Sequence, residues 1–287
     1  MRFIKILRVC KFFFLTRLFP LISSGWKEQR LESFVSIHLG RSICIDIFLP
    51  PKYGRNEKKY PVLLFNDGQD MEAVQMKKHL SNGLKAKVID PIIVVAIHAG
   101  DRMEEYGTIG RPDYQKRGAK ADAYGRFITE ELIPCLQQRY HCGVTPETWA
   151  IAGFSLGGLS AFDLAWNYPQ YFSRVGVFSG SFWWRSKAFK ENDPDADRIV
   201  HKVVREGPHR GGLRFWLQTG THDETADRNQ NGVIDAIDDT LDLIKELEQL
   251  GYQQGRDIQY VEIEGGEHNP ETWGRVMPKF LAWLDYS

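Results

Sequence analysis

The sequence predicts an α/β fold: a mostly parallel sheet of about eight strands with helices on both faces. Three observations indicate this class. Short, wholly apolar segments such as 62–65 and 92–97 are typical of strands buried on both faces. These segments alternate with amphipathic stretches of helical spacing. No linker, repeat or low-complexity stretch interrupts residues 33–287, so we expect one domain there.

Composition narrows the function classes. Of 287 residues, 43% are hydrophobic and 26% are charged, which is typical of a globular protein. The 37 basic and 37 acidic residues cancel, so we expect no nucleic-acid partner. No apolar run reaches the roughly 18 residues of a stable membrane span. The four cysteines form no C-x-x-C pair, which argues against a zinc ribbon and favours reduced thiols.

Residues 1–25 are set apart as an N-terminal extension. The segment 2–22 is apolar and basic, but Lys11 and Arg17 interrupt its apolar run. Three interpretations stay open: a poor signal peptide, a basic helix on a membrane surface, or upstream sequence from a wrong start codon. We favour the last, and with it a cytoplasmic location. A secreted or periplasmic location would follow if the segment is a signal.

The strands begin with a hairpin and continue with buried segments. Segments 34–39 and 43–49 alternate apolar and polar residues around Gly40-Arg41, which is typical of an antiparallel pair. Six buried strands are expected to follow, at 62–65, 92–97, 148–154, 175–178, 215–219 and 258–263. Helices are expected between and after them, at 71–87, 120–139, 157–167, 195–206, 238–250 and 271–284. Ligands of such sheets bind beyond the carboxyl ends of the strands.

A nucleophile motif follows the third buried strand. Residues 153–157 read Gly153-Phe154-Ser155-Leu156-Gly157, between that strand and a helix. In this context G-x-S-x-G forms a sharp turn that lifts the serine hydroxyl above the sheet. The helix N-terminus behind Ser155 offers N–H groups to a negative oxygen. The sequence therefore predicts Ser155 as a nucleophile on a single α/β-hydrolase domain, 33–287.

A nucleophilic serine needs a base, which in this fold follows the serine and the acid along the chain. His268 satisfies that order, because it lies in the glycine loop 265–270 between the last strand and the last helix. His222 also follows a strand, but it precedes the expected acid. We therefore predict His268 as the base.

The acid is expected after the strand 215–219. Asp223, Glu224 and Asp227 are the carboxylates of that loop. We predict Asp223 and keep the other two as alternatives.

Two backbone N–H groups are expected to form the oxyanion hole. Leu156 follows the nucleophile and gives the first. Gln69, in the loop after an earlier strand, gives the second. The alternative for Asp67-Gly68 in that loop is an ordinary turn.

These motifs resemble the esterase family of α/β-hydrolases that includes enterochelin esterases, S-formylglutathione hydrolases, feruloyl and acetylxylan esterase domains, and the antigen 85 mycolyltransferases. The segments that carry the resemblance are PVLLFNDGQ at 61–69, GGLSA at 157–161, VFSGS at 177–181, and GGEH at 265–268 with Trp273. They span about residues 33–284. The resemblance implies hydrolysis of carboxylic esters by Ser155, Asp223 and His268. Some branches carry Glu as the acid, so Glu224 stays an alternative.

A second motif resembles the calcium loops of dockerins. Residues 227–238 read DRNQNGVIDAID and match D-x-[DN]-x-[DN]-G, with an acid at the twelfth position. Oxygen ligands at these positions suit a hard cation. The alternative is an Asn-Gly turn followed by a helix cap. The ligands expected for a structural Ca²⁺ are Asp227, Asn229, Asn231, the carbonyl of Val233, Asp235 and Asp238.

Two tryptophans follow the strand after the nucleophile. Trp183 and Trp184 are expected to overlook Ser155, either as a pocket for a flat or sugar-like group or as packing of a lid. The loop at 99–119 has a similar place.

Together these motifs predict a serine carboxylic-ester hydrolase that acts through an acyl-enzyme on a small or carbohydrate-linked ester. The chemistry requires no cofactor. Two alternatives stay open: an acyltransferase of the antigen 85 type, and a catalytically silent binding protein on the same fold.

Overall fold

A computed structural model describes residues 25–55 and 57–286. The strands are β1 (Lys27–Ser36), β2 (Arg41–Leu49), β3 (Val62–Asn66), β4 (Ile93–Ile97), β5 (Trp149–Phe154), β6 (Arg174–Phe178), β7 (Arg214–His222) and β8 (Ile258–Glu267). They form one sheet in the order β1-β2-β4-β3-β5-β6-β7-β8. β2 is antiparallel to β1 and β4, and β3 to β8 are parallel. The predicted eight-stranded, mostly parallel sheet is confirmed.

The helices are α1 (Met76–Ala86), α2 (Arg102–Glu105), α3 (Ala121–Arg126), α4 (Ile133–Arg139), α5 (Leu156–Asn167), α6 (Ile199–Arg205), α7 (Asp235–Gln249) and α8 (Pro270–Trp283). A π-helical segment, Phe127–Leu132, joins α3 to α4. Short 3₁₀ turns lie at Gly68–Asp70 and Pro146–Thr148.

The sheet has a hydrophobic core on each face. In β3, Val62 and Leu64 belong to one core, whereas Leu63 and Phe65 belong to the other. Residues of α3 to α7 cover the first face, and residues of α1 and α8 cover the second. Both sides of β3 to β7 are thus largely buried, which explains their apolar segments. The prediction of a buried strand at 258–263 is wrong, because β8 lies at the sheet edge and only Ile258 of that segment is buried.

The N-terminal hairpin corrects the predicted boundaries. The first strand is Lys27–Ser36, not 34–39, so the folded part begins before residue 33. Residues 37–40 form the turn, where Gly40 has a φ of 66°. The carboxylate of Glu131 accepts hydrogen bonds from the Ser36 hydroxyl and the Ile37 N–H. This strand lies at the sheet edge and is partly exposed, so its apolar alternation is weak.

Several helix boundaries also differ from the predictions. The helix expected at 71–87 begins at Met76, because residues 71–75 form turns and Gln75 has a φ of 55°. The helix expected at 120–139 contains the π segment. The short helix α2 was not predicted.

Residues 1–24, which hold most of the N-terminal extension, lie outside the described residues. Of the helices in the described ranges, none combines the length and hydropathy needed to cross a bilayer. Among the described residues, no disulfide joins Cys44, Cys135 and Cys142 to one another.

Candidate active site

Ser155 stands at the junction of β5 and α5. Its backbone has φ 53° and ψ −120°, a strained combination for a residue with a Cβ atom. Its N–H donates to the carbonyl of Phe178 in β6 at 2.8 Å, which fixes the turn against the neighbouring strand. The side chain is partly exposed at the carboxyl edge of the sheet. This geometry is what a nucleophile elbow requires.

The glycines of the motif are required by close packing. A Cβ atom on Gly153 would lie 2.3 Å from the carbonyl oxygen of Gly157. A Cβ atom on Gly157 would lie 2.2 Å from a carboxylate oxygen of Asp67. The first turn of α5 therefore packs directly on β5 and on the loop after β3.

The register of β7 and β8 brings Asp223 and His268 together. The last paired residues of these parallel strands are His222 and Glu267. Asp223 follows His222, and His268 follows Glu267, so both stand just beyond neighbouring strand ends. Asn269 then caps α8: its side chain accepts from the Thr272 N–H. His222, the alternative base, is exposed at the end of β7.

The carboxylate of Asp223 is almost fully enclosed, with 8% of the residue exposed. One oxygen accepts from the Gly220 N–H at 2.9 Å, and the other from the Ser179 hydroxyl at 3.0 Å. Burial raises the pKa of Asp223, and these two hydrogen bonds and the charge of His268 oppose that rise.

Glu224, the alternative acid, has a different environment. Burial and the nearby carboxylates of Asp235 and Asp239 raise its pKa to about 7. Both carboxylates belong to α7, so Glu224 lies against the first turns of that helix. Asp223, in contrast, acts through its charge on the pKa of His268, the predicted base.

The imidazole of His268 packs edge-on against Trp273, with ring centroids 5.4 Å apart. Trp273 in turn stacks on Phe154 at 4.6 Å, directly before Ser155. Desolvation lowers the pKa of His268, the charge of Asp223 raises it, and the charge of Arg102 lowers it. Among the described residues, no direct hydrogen bond joins His268 to Ser155 or Asp223.

The two predicted oxyanion donors belong to two different elements. Leu156 is the first residue of α5, and Gln69 lies in the 3₁₀ turn after β3. Within the described ranges, neither N–H donates a hydrogen bond. The side chain of Gln69 is fixed, since its Oε1 accepts from the Ala99 N–H and its Nε2 donates to Asp67. Both N–H groups are therefore available to a ligand.

A buried amide links the end of β3 to the elbow helix. Asn66 donates from Nδ2 to the carbonyl of Gly157 at 2.8 Å, and its Oδ1 accepts from the Tyr124 hydroxyl at 2.6 Å. All three residues are buried. The end of β3 and the elbow are thus held at a fixed spacing, which the sequence did not predict.

Arg102 is a further site residue that the sequence did not reveal. Its guanidinium binds both oxygens of Asp67, at 2.7 and 3.0 Å, and lies 3.5 Å from the carbonyl of Phe154. Burial raises the pKa of Asp67, and Arg102 opposes the rise. A positive charge therefore stands beside the nucleophile turn and acts on His268.

The two tryptophans after β6 have opposite exposures. Trp183 is 39% exposed, whereas Trp184 is 0% exposed and belongs to the core. The guanidinium of Arg117 lies over both rings, at 5.3 and 5.1 Å. Tyr114, from the loop after β4, is also exposed. A contact with a ligand is therefore open to Trp183 and Tyr114, and not to the face of Trp184.

The loop 227–238 closes upon itself at the surface. Asp227 accepts from the N–H groups of Asn231 and Gly232, at 3.1 and 2.9 Å. The side-chain amides of Asn229 and Asn231 both donate to one oxygen of Asp238 at 2.9 Å. Four of the predicted ligand side chains thus converge.

Two other predicted ligands of the loop have separate surroundings. The carboxylate of Asp235 accepts instead from the N–H and the guanidinium of Arg228. The N–H of Val233 donates to Asn231 Oδ1 at 2.7 Å. The predicted ligand of this residue is its carbonyl, which takes no part in that bond. The structure therefore gathers four predicted ligand side chains and turns Asp235 toward Arg228.

One cluster of metal-ligand types lies elsewhere in the described part of the chain. Ligand atoms of Cys44, Asp46 and His98 lie within 4.8 Å of one another. However, Arg30 binds both oxygens of Asp46, at 2.6 and 2.9 Å. The guanidinium already supplies the positive charge that this carboxylate needs.

Comparison with known proteins defines the class. Residues 36–284 match the family model described as "Putative esterase", so the chain belongs to this family of carboxylic-ester hydrolases. The chain is 20% identical over 258 residues to the uncharacterized protein YbbA of Bacillus subtilis, covering 88% of this chain and 97% of that protein. It is also 30% identical over 94 residues to an iron(III) enterobactin esterase of Dickeya dadantii, covering 33% of this chain and 22% of that protein.

Solved structures share the fold. The enterobactin esterase FES of Shigella flexneri aligns with a TM-score of 0.67 at 20% identity, over 91% of this chain and 59% of that one. A ferulic acid esterase aligns with a TM-score of 0.69 at 19% identity, over 91% and 98% of the two chains. This chain therefore spans less than two thirds of the enterobactin esterase. The expected family resemblance is confirmed.

Proposed function

We propose that the protein is a serine carboxylic-ester hydrolase with the triad Ser155, Asp223 and His268. The observation that carries the proposal is that these three residues all follow strands at the carboxyl edge of one sheet. A strained serine follows β5, and an acid and a base follow the paired ends of β7 and β8. Trp273 contacts both Phe154 and His268, so it links the turn of Ser155 to the loop of His268.

The proposed reaction has two steps. His268 accepts the proton of the Ser155 hydroxyl while Oγ attacks the ester carbonyl. The N–H groups of Leu156 and Gln69 bind the oxyanion, and the intermediate collapses to an acyl-enzyme. His268 returns the proton to the leaving alcohol. Water, deprotonated by His268, then attacks the acyl-enzyme and releases the acid and Ser155.

The surroundings of His268 support its role as a base. Its pKa is lowered by desolvation, so the imidazole is neutral at pH 7 and able to accept a proton. The carboxylate of Asp223 beside it stabilises the imidazolium that then forms. The proposed substrate is a small ester, and an aromatic acyl or alcohol group has Trp183 and Tyr114 to contact.

The experiment measures partition of the acyl-enzyme. p-Nitrophenyl acetate and phenyl acetate, which share one acyl group, are hydrolysed with increasing methanol or glycerol, and ethyl ferulate extends the series to an aromatic acyl group. An acyl-enzyme predicts that the free acid and the new ester form in a ratio set by the alcohol concentration and independent of the leaving group. Transfer to the alcohol at low concentration, with little free acid, would favour the acyltransferase instead. No turnover of any ester would favour the silent binding protein.

We also propose that the loop 227–238 holds a structural calcium ion. The spacing of its oxygen ligands, the φ of 84° at Gly232 and the convergence of Asp227, Asn229, Asn231 and Asp238 support this. The amides that now donate to Asp238 would turn their oxygens toward the ion. The ion would neutralise clustered carboxylates and take no part in ester chemistry.

A further inference from the structure

The segment after β6 contacts both ends of the proposed triad. Phe178 pairs with Phe154 of β5 on one side and with Gln218 of β7 on the other. Ser179 therefore stands between Ser155 and the loop of Asp223. Its N–H donates to the Gln218 carbonyl at 2.8 Å, which holds it in that place.

The hydroxyl of Ser179 has a fixed hydrogen-bond direction. The indole N–H of Trp273 can only donate, so Ser179 Oγ accepts from it at 2.9 Å. The single hydroxyl proton then goes to Asp223 Oδ1 at 3.0 Å. Ser179 is 2% exposed, so water does not compete for these bonds. The result is a directed chain from Trp273 through Ser179 to Asp223.

The backbone at Ser179 is strained, with a φ of 49°. Glycine adopts this conformation without cost, whereas a residue with a Cβ atom does not. A serine held there is unfavourable for stability unless its hydroxyl is used. The strain thus points to the hydroxyl as the reason for the residue.

Trp273 contacts one member of the proposed triad and a neighbour of each of the other two. It stacks on Phe154, the neighbour of Ser155, and packs edge-on against His268. Its indole N–H reaches Asp223 through Ser179. One buried side chain therefore touches the base directly and the acid at one remove.

We propose that Ser179 and Trp273 are positioning residues that fix the Asp223 carboxylate relative to the His268 ring. This rests on the proposed function, because it requires Asp223 to be the acid. Neither residue touches the reacting atoms. Ser179 and the indole N–H of Trp273 act through Asp223, and the Trp273 ring also packs against His268.

The test is a double-mutant cycle in kcat. Ser179→Ala is expected to lower kcat about 100-fold with KM within about twofold, because the carboxylate loses its orientation and substrate binding is unchanged. Trp273→Phe keeps a ring against Phe154 and His268 but loses the N–H, so we expect about a tenfold loss. In the Asp223→Asn background neither substitution should lower kcat further, since a residue that acts through Asp223 has nothing left to orient.

Two further variants separate positioning from stability. Ser179→Gly removes the strain, so it should melt above Ser179→Ala yet lose as much kcat. Ser179→Thr keeps the hydroxyl but adds strain, so it should melt lower and keep a kcat closer to the wild type. A structural role would make kcat follow the melting temperature, and these variants are expected to reverse that order.

Full additivity with Asp223→Asn, or kcat that follows the melting temperature, would overturn the inference and leave the triad intact. An Asp223→Asn variant within tenfold of the wild-type kcat would instead remove Asp223 as the acid, and the positioning role with it.

Discussion

Asp223 and Asp227 are four residues apart in the chain, yet they belong to regions of opposite construction. At the carboxyl edge of the sheet, the buried side chains of Ser179 and Asp223 bond to each other from neighbouring parts of the sheet. In the loop 227–238, Asn229 and Asn231 are exposed, and both bond to Asp238 of the same loop. The positions of the side chains at the edge thus depend on the register of neighbouring strands. The positions of the Asp227, Asn229, Asn231 and Asp238 side chains depend mainly on contacts within the loop. We therefore expect substitutions at the carboxyl edge to lower kcat strongly. We expect changes in the loop to lower the melting temperature and to leave kcat almost unchanged.

The largest effect is expected from the nucleophile and the base. Ser155→Ala and His268→Ala should each lower kcat by about 10⁶, and the double variant should be no worse, because a triad acts as a unit. The melting temperature should change little, since neither side chain carries the core. Steady-state kinetics and thermal melts check this. Turnover within tenfold of the wild type in either single variant would contradict the assignment.

The next largest effect on kcat is expected from the carboxylate of Asp223, compared with that of its neighbour Glu224. Asp223→Asn should lower kcat by about 10⁴, because the imidazole loses its orienting partner. Glu224→Gln is the matched control and should cost far less, since Glu224 lies against α7. Kinetics with one ester on both variants check this. If Glu224→Gln is the more damaging change, the acid is Glu224.

The charge of Arg102 should appear in the pH profile. His268 must be neutral to act, so kcat/KM should fall with acid below pH 6.5, because the pKa of His268 lies below its usual value. Arg102 lowers that pKa, so Arg102→Gln should move the acid limb to higher pH. Asp223 raises it, so Asp223→Asn should move the limb the other way. Arg126→Gln, on the exposed face of α3, is the control. An unmoved limb in Arg102→Gln would show that the two groups do not interact.

The smallest effect on activity is expected from the loop. Chelation should lower the melting temperature by a few degrees, because an ion bound to the folded state stabilises it by mass action. The kcat should stay within about twofold, since the Asp235 N–H still closes the loop on the Ala226 carbonyl at 2.8 Å. Calcium should restore the melting temperature, and Asp227→Ala should abolish the response. Metal-free protein that melts identically with and without calcium would leave a turn and a helix cap.

The same contrast explains what the sequence could predict. The buried strands and the elbow at Ser155 have local signals: an apolar segment, two glycines and a following helix. Arg102 and Ser179 have none, because their partners lie 35 and 44 residues away in the chain. The VFSGS segment marked the position of Ser179, but its role appears only when β6 lies between β5 and β7.

The exposure of individual side chains could not be predicted from the neighbouring sequence either. Trp183 and Trp184 are adjacent and chemically identical, yet one is 39% exposed and the other is wholly buried. The path of the backbone decides which ring meets solvent. The boundaries predicted for the edge strand β1 were wrong for a related reason. Its faces are partly exposed, which weakens the alternation of apolar and polar residues that marks a strand.

The central claim is that Ser155 is a nucleophile activated by His268, and covalent labelling tests it most directly. The protein is treated with a fluorophosphonate, and intact mass and peptide mapping locate the adduct. We predict one adduct per chain, on Ser155, that is absent in Ser155→Ala and formed far more slowly in His268→Ala. A wild-type protein that stays unlabelled, or an adduct on another residue that persists in Ser155→Ala, would contradict the account.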